Sequence, residues 1–350
     1  MEQNFSLRQF NQVLLALLLF FGILYLGKPF IVPVAIGGLF AMLLAPVCRK
    51  LERRGVHPTV AALLCVLTVV VILAVVILIL INQLTALAYD LPQLDQRLTQ
   101  LLDEAHEFIK ETFSVPRKKQ TEYLHQSLRN SLQYAGLYLR NLLLFASSLL
   151  LNFIIVMSYT LLFLLYRKRL KNFVSRLSSN YKANDRDIVS KITTVASSYI
   201  SGVFLVVLIL AVLNTIGLKV IGIEHALLFG LLAGLLNIIP YLGSLAGSLI
   251  PVLYALLTQD SLLTPFMVAV FFLVVQQIES YILTPNITGA KVKLNPLATL
   301  MVLLLGSAIW GIAGMIVFVP YLGIAKVIFD NIHSLRPFGY VLGKDGEQEH

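Results

Sequence analysis

The chain has 350 residues, 58% of them hydrophobic and 13% charged, with a mean hydropathy of +0.83. Soluble globular domains carry about 25% charged residues, so this composition excludes that class and describes an integral membrane protein. The net charge of +9 comes from basic residues gathered beside apolar runs, where they orient a chain and meet acidic lipid, so no nucleic-acid partner is implied.

The first apolar run, about residues 9–26, has no small-residue cleavage site after it and is expected to stay as a span. Gly27, Lys28 and Pro29 turn it tightly into a second span, about residues 30–47. Arg49, Lys50, Arg53 and Arg54 then crowd one short loop, which the positive-inside bias places in the cytoplasm together with Arg8. A third span, about residues 59–81, leads outward. Cys48 and Cys65 form no CxxC pattern, and neither a disulfide nor a metal site is expected of them.

Between residues 83 and 140 the composition changes. Seven basic and seven acidic residues balance, and Leu84, Leu87, Leu91, Leu94, Leu98, Leu101, Ala105 and Phe108 recur at steps of three and four, a heptad stripe. Pro116 and the basic cluster Arg117–Lys119 break it, and a second stripe through Leu124, Leu128, Leu132, Ala135 and Leu139 returns. The pattern predicts an extramembrane helical hairpin, either self-packed or serving as a collar or lid. A fourth span, about residues 142–166, ends in Arg167, Lys168, Arg169 and Lys171, a cytoplasmic linker by the same bias.

The fifth span, about residues 199–221, carries Asn214 and Gly217. After it the apolar runs shorten. Residues 226–236 and 248–257 flank Asn237, Pro240, Gly243 and Gly247, while residues 297–308 and 315–327 flank Gly306, Trp310, Gly311 and Gly314. Such lengths suit re-entrant arms, and irregular backbone at membrane depth survives only inside protein or along a cavity. If both broken elements cross fully, Lys291 and Lys293 lie outside; if both are re-entrant, that loop lies inside, which obeys the charge bias better. Both versions leave the tail with Arg336 and Lys344 in the cytoplasm, and Lys326 is expected to snorkel to that interface.

Between these elements, about residues 262–284, an apolar run flows into Gln276, Gln277 and Glu279. A carboxyl in a hydrophobic span costs about 2.5 to 3.5 kcal/mol on insertion scales and faces a protein interior or a water cavity. Gln276 shares a helical face with Glu279 and Ser280, three and four residues on, whereas Gln277 points elsewhere. Asn237 and the freed backbone at Pro240 could add amide and carbonyl partners, and Asn295 follows the basic loop. These groups suit a substrate or ion pathway with Glu279 as the coupling carboxyl. The plainer reading is interhelical glue, with Glu279 held by Lys291 or an amide. Trp310, among its glycines, reads as close helix packing or as a gate. No GxxxxGK[ST], HExxH or GxSxG pattern and no His/Cys cluster occurs, so neither an enzyme nor a cofactor is expected.

The segments NIIPYLGS from Asn237, QQIESYILTPNITGAKVKLNPLA from Gln276, GSAIWGIAGMIVFVP from Gly306 and AKVIF from Ala325 resemble the autoinducer-2 exporter (AI-2E, PerM-like permease) family over essentially the whole chain. The resemblance implies a homo-oligomeric multipass protein of the bacterial plasma membrane, an all-α transporter with about eight hydrophobic elements. Its cargo would be a small polar solute such as the quorum-sensing signal, or Na+ or Li+ exchanged for H+. Two positions depart from it: Asn295 stands where many relatives have His, and Ser280 where Gly is frequent. On this reading residues 1–82 hold three transmembrane helices, 83–141 the external hairpin, 142–166 the fourth helix, 167–198 the cytoplasmic linker, 199–333 a transport core with broken helices and 334–350 the tail. The pathway residues would be Asn237, Pro240, Gln276, Glu279, Ser280 and Asn295, and the gating or packing residues Gly243, Gly306, Trp310, Gly311 and Gly314. A membrane scaffold acting through the hairpin is the reading outside transport.

Overall fold

In hydrocarbon every backbone N–H and C=O must find a partner within the protein, and the helix supplies one to each residue. Among the described residues the chain is helical almost throughout, with one isolated bridge, Leu294 to Gly343, and no strand. The structure is a computed structural model and describes residues 7–113, 152–173, 176, 185–239, 242–259, 261–289 and 294–343.

The helices are α1 (Leu7–Leu26), α2 (Lys28–Arg53), α3 (Pro58–Phe113), α4 (residues 152–173), α5 (Asp185–Ile221), α6 (Ala226–Leu236), α7 (Leu242–Thr258) and α8 (Leu263–Ile278). A π-helical turn (Glu279–Gly289) continues α8, and α9 (Pro296–Trp310), α10 (Ile312–Asn331), a 3-10 turn (His333–Leu335) and α11 (Arg336–Leu342) follow. Among the described residues five stretches are long and apolar enough to cross a membrane: Lys28–Arg53, Pro58–Leu87, Ser190–Ile221, Leu263–Ile287 and Ile312–Asn331. With the shorter apolar helices α6, α7 and α9 they make an all-α polytopic membrane protein.

The expected boundary at residue 82 falls inside α3, whose 56 residues run on as one helix of roughly 84 Å. The heptad stripe to Phe108 therefore continues the third span's own helix. The return arm, with Pro116 and the second stripe, lies outside the described residues. Likewise α5 starts at Asp185, so the end of the expected linker is already helical.

By contacts the chain divides into two units. The first comprises Met1–Val69, Asn152–Phe204 and Pro285–His350. Here Thr160 Oγ1 of α4 donates to the Gly37 carbonyl of α2 at 3.3 Å, and Arg167 pairs with Glu52. α9 and α10 fold back on each other so closely that a Cβ on Gly306 would lie 2.6 Å from the Gly314 carbonyl oxygen. The turn is Gly311, at φ 64° and ψ −138°, a conformation open to glycine and strained for other residues. Buried beside it, Trp310 donates its indole N–H to the Leu24 carbonyl at 2.8 Å and stands edge-on to Phe318, while Tyr321 donates to the Ala35 carbonyl at 3.0 Å. Lys326 does not snorkel as expected: it is buried, and its Nζ donates to Asp330 at 2.8 Å. Cys48 and Cys65 are free thiols, both buried.

The second unit comprises Val70–Leu151 and Leu205–Thr284. α5 closes at Gly222, whose φ of 98° lets the Ile223 N–H reach back to the Leu218 carbonyl at 2.9 Å. α6 then runs antiparallel to α5, α7 folds back on α6, and α8 returns along them. Leu218, Phe229, Tyr254, Ala255, Val268 and Phe272 fill the space between these four helices. Glycines on α6 permit close contact with α5, since a Cβ on Gly234 would lie 2.9 Å from the Val207 carbonyl oxygen.

Candidate functional site

α6 ends because its last turn tightens. The N–H groups of Ile238 and Ile239 bond three residues back, to Leu235 and Leu236 at 3.1 and 2.9 Å. Pro240 comes next in sequence and disfavours helix at the residue before it. Asn237 thus stands at the helix end with a side chain free to reach across. Its Nδ2 donates to Glu279 Oε1 at 3.2 Å.

Glu279 sits where α8 widens. Pro285 has no N–H and its ring would collide with the carbonyl four residues back in an α-helix, a conflict that the wider π turn over Glu279–Gly289 avoids. In an α-helix a residue five positions on would point about 140° away. The i to i+5 pairing of a π turn brings it back, and Thr284 Oγ1 donates to Glu279 Oε1 at 3.1 Å. From the preceding turn Gln276 Nε2 donates to Glu279 Oε2 at 2.9 Å and lies 3.4 Å from Ser280 Oγ.

One half-buried carboxyl therefore receives donors from three places: the end of α6, the end of α8 and the π turn. A carboxylate offers about four acceptor directions, and among the described residues three are used, two on Oε1 and one on Oε2. The open direction on Oε2 can take a donor or a cation. Between Leu205 and Thr284 the only basic residues are Lys219, which is exposed, and His225, which is buried against Phe229 and Tyr254 with ring centroids 6.5 and 5.6 Å away. No group of His, Cys, Asp and Glu among the described residues is arranged to hold a metal ion.

Of the residues expected in the pathway, the structure joins Asn237, Gln276, Glu279 and Ser280, and Gln277 is exposed and turned away. Pro240, and the Lys291 considered as a partner of Glu279, lie outside the described residues. Asn295 belongs to the other unit, where its Oδ1 caps α9 by accepting from Ala298 N at 2.7 Å and its Nδ2 donates to the Val341 carbonyl at 2.7 Å. Both ends of that side chain are committed to holding α9 and the C-terminal segment. Gly243, Gly306, Trp310, Gly311 and Gly314 all sit at points of tight packing or turning. Thr284 was not singled out in the sequence. Its signal is Pro285, which disturbs α-helical spacing and here coincides with the π turn.

A sequence model described as AI-2E family transporter matches residues 14–334. YueF of Bacillus subtilis (strain 168), provisionally named a transport protein, is 25% identical over 350 residues, 93% of this chain and 92% of that protein. YhhT of Escherichia coli (strain K12), named in the same way, is 22% identical over 308 residues, covering 87% and 85% of the two chains. YrrI of Bacillus subtilis, also so named, is 38% identical over 138 residues, a stretch that is 39% of this chain and 38% of YrrI.

Proposed function

The chain belongs to the AI-2E transporter family, and on that premise we propose that it is a permease exporting a small polar solute, such as the autoinducer-2 signal, across the bacterial plasma membrane. Glu279, Gln276, Ser280, Asn237 and Pro240 line the path. The α6–α7 and α9–α10 elements act as gates that flex at Gly243 and Gly311, with Gly306, Trp310 and Gly314 as their packing points. Both termini are cytoplasmic, and the working protein is a homo-oligomer. Asn295 enters as the anchor of α9 and the tail.

One observation carries this reading: a half-buried carboxyl in an apolar span, held by three uncharged donors, with an acceptor direction open for cargo. The same open direction favours a second reading, in which Glu279 exchanges Na+ or Li+ for H+. The test is flux of candidate solutes in proteoliposomes, with and without imposed ion gradients. Solute efflux lost in Glu279→Gln and indifferent to ions is the expected result; sodium-dependent proton movement abolished by that variant would establish antiport instead. A fully active Glu279→Gln would remove the carboxyl from either mechanism.

A further inference from the structure

Asn214 stands in the C-terminal third of α5, is 3% exposed, and its Oδ1 has no hydrogen-bond partner among the described residues. An unsatisfied buried amide costs stability, about 1 to 3 kcal/mol in mutational series, so its presence asks for a partner that comes and goes. The neighbouring contacts fix where it lies. On either side of it along α5, a Cβ on Gly234 would be 2.8 Å from Ala211 Cβ, and one on Gly230 would be 2.7 Å from Thr215 Cα. Asn214 is therefore level with the stretch of α6 between Gly230 and Gly234. Asn237 lies about six residues further along α6, or roughly 9 Å by helical rise. Reckoned along α8, Phe271 meets Gly217 and Glu279 is eight residues on, which leaves about 7.5 Å between Glu279 and the level of Asn214.

We propose that Asn214 is a second hydrogen-bonding station of the transport path, one to two helical turns from the Glu279 cluster, whose amide oxygen accepts from a hydroxyl or ammonium group of the passing solute or from its water. This inference rests on the transport reading and extends it. One acceptor at this level shortens the distance that a solute leaving Glu279 travels without a hydrogen-bond partner. The cluster carries one carboxyl and the stretch from Leu205 to Thr284 no arginine, so the two stations suit neutral or cationic hydrogen-bond donors.

The test uses the full chain in proteoliposomes, with Cys48→Ala and Cys65→Ala as background. Single cysteines at Asn214, Gln276 and Val212, an exposed residue of the apolar span α5, are reacted with hydroxyethyl methanethiosulfonate and with its trimethylammonium analogue. Asn214→Cys should react far faster than Val212→Cys. The carboxylate is at least about 8 Å away, so at an effective dielectric constant between about 20 and 80 it should favour the cationic reagent by no more than roughly 2- to 30-fold, and adding Glu279→Gln should erase that preference. Labelling at Gln276→Cys with none at Asn214→Cys would overturn this inference and leave the path reading standing; labelling at neither would overturn both. A separate measurement needs no cysteine. Asn214→Leu should melt at or above the wild type, because it removes an unpaired amide, and a clear loss of stability would show that the amide serves as interhelical glue.

Discussion

The sharpest consequence of the α6–α7 geometry concerns Gly243. Its ideal Cβ would overlap the Leu236 carbonyl and lie 2.8 Å from Asn237 Cα, both backbone atoms that cannot rotate aside. Ordinary contact begins near 3.4 Å, so the Asn237 Cα alone demands about 0.6 Å of opening and the closer Leu236 carbonyl more than about 1 Å, at an overpacking cost of about 1 to 3 kcal/mol. The Asn237 bond to Glu279, at 3.2 Å, ceases to count as a hydrogen bond by about 3.6 Å. The slack, about 0.4 Å, is smaller than the forced displacement. Gly243→Ala should therefore lose both stability and flux. Gly247→Ala meets Ala233 Cα at 2.9 Å, further from the site, and should cost stability with less effect on flux. Gly22→Ala in α1 has nothing within 4 Å and should be neutral or gain slightly. Thermal unfolding in detergent paired with proteoliposome flux gives the comparison. If Gly243→Ala melts with Gly22→Ala, the turn is not packed as described and the reasoning fails.

Thr284→Val removes one of the two donors to Glu279 Oε1 and should lower flux, whereas Gln277→Leu, exposed one position away from the cluster face, should leave it near wild type; the same flux assay reads both. Trp310→Phe keeps the ring against Phe318 but strands the Leu24 carbonyl, for a loss of about 1 kcal/mol seen as an earlier thermal transition. Asn295→Ala removes the cap of α9 and the bond to Val341, costing about 0.5 to 2 kcal/mol for the cap alone. Limited proteolysis should then cut residues 333–343 faster than in the wild type.

Much of this was legible from spacing alone. Residues 226–236 emerge as α6 with the expected bounds, because a short apolar run meeting Asn and Pro can only end there. Gln276, Glu279 and Ser280 share a face because three and four residues are one α-helical turn. The arithmetic failed where the helix changed period: Thr284, at i+5, reaches Glu279 only in a π turn. Asn295 is legible in another way. An Asn before a Pro and an apolar run is a helix start signal, and in the structure its Oδ1 caps α9. Asn214 was visible as a polar residue in a span, but which way it faced depended on the glycines of α6, and pairing between distant segments is not written in local periodicity.

Among the described residues, the Asn237 bond to Glu279 Oε1 ties the α6 end to the α8 end. A swing of the α6–α7 hairpin away from α8 must break that bond, and a carboxyl left with one donor fewer is poorer by about 1.5 to 3 kcal/mol, the worth of a hydrogen bond to a charged group. A solute that brings its own donor to Glu279 supplies what the departing amide withdraws. Cargo binding and hairpin release would then be linked through one atom, because the ligand favours the released state by what it adds there. Asn237→Ala discriminates: it should weaken the dependence of hairpin opening on solute, measured as protease or thiol access at the α6–α7 turn, and leave opening less restrained when solute is absent.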